Sequence, residues 1–137
     1  MIIADTSVVS EFMRPNPAAH VVDWASSISA ERIGVSAITV QEIETGLMAL
    51  PESRRKHELF ASWSKILAAH AGRVVTYGLE EARATARVIS ESKDMGRQMS
   101  LADAQIAGIC MANGYQLATR NVKDFVHVAG LEVVNPF

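Results

Sequence analysis

Five side chains carry oxygens that could do chemistry together: Asp5, Glu42, Asp103, Asn121 and Asp124. Asp5 comes directly after the apolar run Met1-Ile2-Ile3-Ala4 and directly before two hydroxyls, Thr6 and Ser7. Asp103 is the only charged residue between Ser100 and Ala112, in a stretch that is otherwise apolar almost all round. A lone acid on a buried helix is costly unless it is paired or binds a cation. Carboxylates converging on one point repel each other unless something positive sits between them. A hard divalent cation held by carboxylates and water supplies that charge, and Mg²⁺ is the usual choice. Such a site suits phosphoryl chemistry, because the metal lowers the pKa of a bound water and offsets charge on the phosphate.

Each acid also has a plainer reading. Asp5 could cap the first helix, and so could Thr6 or Ser7. Ser36 or Thr39 could cap the helix that carries Glu42, and Thr39-x-x-Glu42 and Ser100-x-x-Asp103 both have capping-box spacing. Spacing alone leaves cap and functional acid open. Other chemistries fit worse. The chain has no G-x-x-x-x-G-K phosphate loop and no G-x-S-x-G elbow. His20, His57, His70 and His127 show no zinc spacing, and Cys110 is the single cysteine. An aspartyl-phosphate mechanism would want a second acid where Ser7 stands.

The elements that must position these residues alternate between strand and helix. Met1–Ala4 reads as a short strand buried on both faces. A short helix follows, then a break at Arg14-Pro15-Asn16-Pro17 and a helix from Ala18 to Ile28. Strands are expected at Arg32–Ser36, Arg73–Tyr77, Tyr115–Thr119 and Leu131–Val134. Helices are expected at Ile38–Leu50, Glu52–Ala71 and Leu79–Met95, the second ended by Gly72. The Leu79–Met95 helix is read with Ala82, Ala86, Val88 and Ile89 inward. This order argues for a parallel α/β sheet with helices on both faces. In such a sheet every strand ends on one edge, where ligands bind. Asp5, Glu42, Asp103, Asn121 and Asp124 are all expected there, with Glu42 and Asp103 each in the first turn of a helix.

At 137 residues, 49% hydrophobic and 20% charged, the chain reads as one globular domain. Its apolar runs are too short to span a membrane and its start lacks a signal-peptide pattern, so a cytoplasmic location is expected. Cys110 reads as a small core residue. A formal net charge of −2 gives no overall nucleic-acid signature. Arg54, Arg55, Lys56, Arg97, Arg120 and Lys123 remain as local cations able to steer a single strand.

Four stretches together resemble a known family. They are the apolar strand into Asp5-Thr6-Ser7, then Ser36 to Gly46 with Glu42, Leu101-Ala102-Asp103-Ala104-Gln105-Ile106-Ala107, and Leu117-Ala118-Thr119-Arg120-Asn121-Val122-Lys123-Asp124-Phe125. Their order and spacing are similar to the PIN-domain family and, more narrowly, to the VapC/FitB-like toxins of type II toxin–antitoxin modules. The resemblance covers essentially the whole chain. It implies an α/β fold, a three-layer α/β/α PIN domain over residues 1–137 with a central, mainly parallel five-stranded sheet. It implies an Mg²⁺-dependent endoribonuclease, with Mn²⁺ as a substitute, that cuts single-stranded regions of RNA such as tRNA or rRNA. It further implies a homodimer, a cognate VapB-like antitoxin, and operator DNA bound only through the antitoxin complex.

Carried over by position, Asp5, Glu42 and Asp103 are the catalytic acids and metal ligands, and Asn121 completes the catalytic set. Thr6, Thr119 and Asp124 support it. Many family members have an acid where this chain has Asn121, and Asp124 lies near enough to substitute. Two other readings compete with the ribonuclease. One is a catalytically weak PIN scaffold acting through antitoxin and operator binding. The other is a single-strand DNA nuclease.

Overall fold

The structure is a computed structural model describing residues 1–137. Five parallel strands form one sheet in the order β3-β2-β1-β4-β5: β1 Ile2–Ala4, β2 Ile33–Ser36, β3 Val74–Val75, β4 Gln116–Ala118 and β5 Val133–Val134. Six helices complete it: α1 Thr6–Met13, α2 Ala19–Ser26, α3 Ala37–Met48, α4 Arg54–Ala69, α5 Leu79–Asp94 and α6 Leu101–Asn113.

The opening Ile2-Ile3-Ala4 becomes the central strand because it is apolar on both faces. Ile2 and Ala4 join one core with Val8, Val9, Val21, Ile43, Leu47 and Trp63. Ile3 joins the other with Val88, Ala104, Ile106, Ile109, Leu117 and Phe125. The sheet is thus sandwiched between two helical layers, and it is parallel throughout. From β1 the chain builds outward through β2 and β3, then returns to β1's other side for β4 and β5. The topological switch therefore lies between β1 and β4, where open α/β sheets form their ligand crevice. Register pairs Ala4 with both Val35 and Ala118, so Asp5, Ser36 and Thr119 stand level at the carboxyl edge.

Two expectations are corrected. The α4 helix ends at Ala69 with His70 as its cap, and Gly72 sits in a 3₁₀ turn beyond it. The inward face of α5 is Ala84, Thr85, Val88 and Ser92, whereas Ala82, Ala86 and Ile89 are exposed. The reason is a close helix crossing. A Cβ placed on Gly108 of α6 would lie 2.8 Å from the Thr85 nitrogen and 2.9 Å from its Cα. Only short side chains fit between backbones that near, so size outweighs apolarity in choosing the buried face. Replacing Gly108 by Ala should destabilise the protein by ~1–3 kcal/mol through overpacking. A urea melt of Gly108→Ala measures this, and an unchanged midpoint would show that the crossing relaxes freely.

Candidate functional site

Asp5 ends the central strand with its side chain only 5% exposed. Its own N–H donates to the Ala118 carbonyl of β4 at 3.0 Å, across the switch point. Its Oδ1 accepts the Ser7 N–H at 2.9 Å, the Ser7 hydroxyl at 2.5 Å and the Val8 N–H at 3.2 Å. Asp5 is therefore the cap of α1, and neither Thr6 nor Ser7 is. One carboxylate oxygen does the capping and the other has no protein hydrogen bond.

Released from capping, Thr6 donates its hydroxyl to Glu42 Oε1 at 2.6 Å. The cap of α3 is Ser36, which accepts the Thr39 N–H at 3.1 Å, so the Thr39–Glu42 capping box does not form. Glu42 stands in the second turn of α3 and not the first, and its side chain turns to α1. Ser100 caps α6 by accepting the Asp103 N–H at 3.1 Å, and Asp103 sits in the first turn as expected. Burial pushes the Asp103 carboxyl above the usual carboxylate range. The Ser100 hydroxyl partly offsets this, and the charges of Asp124, Glu42 and Asp5 push it further up. The four acids thus share one electrostatic neighbourhood.

Thr119 is fully buried, and its hydroxyl accepts the Asn121 N–H at 3.0 Å. Asn121 is exposed at the start of a 3₁₀ turn, Val122–Asp124, which carries the exposed Asp124. No three of the Asp, Glu, His and Cys side chains close into a ready-made ligand cluster. The rotamers explain part of this, since Asp5 faces its helix and Glu42 is drawn to Thr6. Cys110 is buried, with its thiol pushed up to about 12 by burial and by the Asp5 charge, as suits a core residue.

Sequence reasoning missed Glu11. Its side chain is 3% exposed and bonds to Arg14 through both oxygens at 3.2 Å, to the Ala18 N–H at 3.0 Å and to Arg120 at 3.2 Å. An acid among Val8, Val9, Phe12 and Met13 was a signal of the same kind as Asp103 among its apolar neighbours. The expected steering cations also divide. Lys56 is 15% exposed and spends its ammonium on the Leu50 carbonyl and Glu52. Arg54 pairs with Glu58 at the surface, and Arg120 is held by Glu11 with its guanidinium 4.0 Å over the Phe137 ring. Arg55, Arg97 and Lys123 are exposed and make no ion pair within 4.0 Å.

The fold and sequence as a whole have counterparts in known proteins. The PIN domain profile matches residues 2–131. The chain belongs to the PIN-domain family. This PIN chain is 38% identical to the plasmid stability protein StbB of Pseudomonas syringae pv. tomato, covering 100% of this chain and 99% of that one. It is 35% identical to VapC ribonuclease Y4jK of Sinorhizobium fredii, over 100% and 98%. Among solved structures, FitAcB from Neisseria gonorrhoeae matches with a TM-score of 0.90 at 34% identity, over 99% and 98% of the two chains. FitAB bound to an IR36 DNA fragment also matches with a TM-score of 0.90.

In this PIN domain the buried Glu11 and the half-buried Asp103 have opposite pH signatures. Glu11 is held below its ordinary range, first by the Ala18 N–H and further by Arg14 and Arg120, against burial. Its stabilisation is present above the ordinary value and lost as pH falls through the lowered one. Asp103 is raised, so its contribution is full below the ordinary ~3.9 and lost as pH rises through the raised value. Asp103→Asn should therefore melt higher than wild type at pH 7, with the gap closing as pH falls toward ~3. A gap that does not change with pH would show that charge repulsion is not its source.

Proposed function

We propose that this chain is a divalent-metal-dependent endoribonuclease toxin that cuts single-stranded regions of RNA and is silenced by a cognate antitoxin. The observation that carries this reading is the raised Asp103, a half-buried acid that feels the charges of Asp124, Glu42 and Asp5 with no cation paired to it. Relatives named as VapC ribonucleases support the choice of RNA.

The residues fit an Mg²⁺ or Mn²⁺ ion by donor chemistry. All the donors are hard oxygens, and Asp5 and Glu42 each keep an oxygen free of protein hydrogen bonds. Asp5, Asp103 and Glu42 would hold the metal. When bound, it would supply Lewis-acid charge at the phosphate and a water of lowered pKa. Thr6 fixes the Glu42 carboxylate, which orients the attacking water. Asp5 is locked in place by the α1 amides it caps. Asn121 offers a carbonyl oxygen and no charge, so Asp124 supplies the fourth charge on this rim. With that position weakened, Asp5, Asp103 and Glu42 would hold one metal tightly, and a second would need a substrate phosphate oxygen as a further ligand.

FitAB and VapBC structures are toxin–antitoxin complexes, some on DNA, which supports an antitoxin and operator DNA reached through it. An apolar cavity of about 330 Å³ between α1, α2 and α4, walled by Val8, Phe12, Trp24 and Ile66, offers an antitoxin segment a seat. Homodimerisation and action in the cytoplasm, where cellular RNA is met, complete the reading. No helix is long and apolar enough to cross a membrane.

Purified antitoxin-free protein incubated with total RNA and Mg²⁺, Mn²⁺ or EDTA tests the reading, with products end-mapped. Metal-dependent cuts at a few sites are expected. Asp5→Asn and Asp103→Asn should each lose more than the ~10–100-fold that removing an outer partner costs, and Thr6→Val should fall within that range. Folded wild type that cuts no RNA under any metal would overturn it. Cutting of matched DNA alone would move the substrate to single-stranded DNA.

A further inference from the structure

Ser7 and Glu11 lie one turn apart on α1, and both reach the same residue. The Ser7 hydroxyl accepts the Arg120 N–H at 3.1 Å, and Glu11 Oε1 accepts the Arg120 guanidinium at 3.2 Å. Arg120 is the link between buried Thr119 at the end of β4 and the turn bearing Asn121 and Asp124. The far end of that turn is anchored independently. Phe125 is 1% exposed in the core, and His127 Nε2 meets the Ser92 hydroxyl at 2.8 Å. Between these anchors Asn121, Lys123 and Asp124 are exposed.

Charge compensation alone does not account for the Arg120 contact, although Arg120 adds to it. Without Arg120, Glu11 would keep Arg14 on both oxygens and the Ala18 N–H. What Arg120 alone adds is a tie between α1 and the turn. The Phe137 ring under its guanidinium holds the side chain along that direction. We propose that Glu11 is a positioning residue, acting through Arg120 to hold the Asn121–Asp124 turn against the helix that Asp5 caps. Arg120 is then a brace and not a substrate contact. This rests on the nuclease reading for its catalytic consequence, though not for its structural one.

The test compares Glu11→Gln, Arg120→Met, the double variant and Arg14→Met. Arg14 bonds Glu11 but touches nothing in the turn, so it reports loss of compensation alone. Amide hydrogen exchange in the metal-free protein is the first readout. Exchange at Arg120, Asn121 and Asp124 should quicken in Glu11→Gln and Arg120→Met, while Val128 and all amides of the turn in Arg14→Met stay as in wild type. Turnover is the second readout. Both braced-pair variants should lose about tenfold in kcat at near-constant KM, as for an outer partner. The double variant should be no worse than either single one.

Unchanged exchange in the turn would overturn the proposal. So would Arg14→Met matching Arg120→Met, or Arg120→Met raising KM at constant kcat, which would make Arg120 a substrate contact. Altered exchange in the variants of a wild type that cuts no RNA would sink the nuclease reading and leave the brace standing.

Discussion

A carboxylate that is nearly buried at the end of the central strand must be satisfied, and much of this structure follows from how Asp5 is. Half of it caps α1, which fixes where that helix starts and which way its hydroxyls point. Thr6 is then free to reach α3, and the Ser7 hydroxyl, while donating to Asp5, accepts from Arg120 at the end of β4. The other oxygen of the carboxylate takes no protein hydrogen bond. Capping in the fold uses one oxygen of Asp5 and leaves the second available, so cap and functional acid need not exclude each other.

The treatment of other acids separates two purposes. Glu11 is as buried as Asp5 but is met by Arg14, Arg120 and a backbone N–H, so the fold favours its charge. Asp103 is half-buried among other acids, so the fold resists its charge. A chain selected only for stability would pair both or remove one. Acids kept close and unpaired are the pattern expected of a cation site, and perturbed carboxyls of this kind cluster at functional sites.

Much of this was legible in the sequence for reasons that can be named. Asp5 and Asp103 stood out because acids rarely border or interrupt apolar runs. Strand and helix alternation gave the parallel sheet, and the family motifs gave the layers. Glu42 was not legible from spacing, since Thr39-x-x-Glu42 reads as a capping box and the sequence leaves Ser36 and Thr39 both open as the cap, which the fold assigns to Ser36. The α5 face was misread because a backbone crossing at Gly108 is invisible to periodicity. Arg120 looked free because its ion pair with Glu11 joins distant elements and leaves no local trace, whereas the Glu52–Lys56 pair has readable i, i+4 spacing. Glu11 carried a readable signal that was not used.

A divalent cation should relieve the repulsion among the acids at the β1–β4 switch. Melting wild type and Asp103→Asn side by side across an Mg²⁺ titration tests it most directly, because no substrate or turnover is needed. The wild-type midpoint should climb saturably with Mg²⁺ while the variant's barely moves. A cation response that is absent, or the same in both proteins, would contradict it.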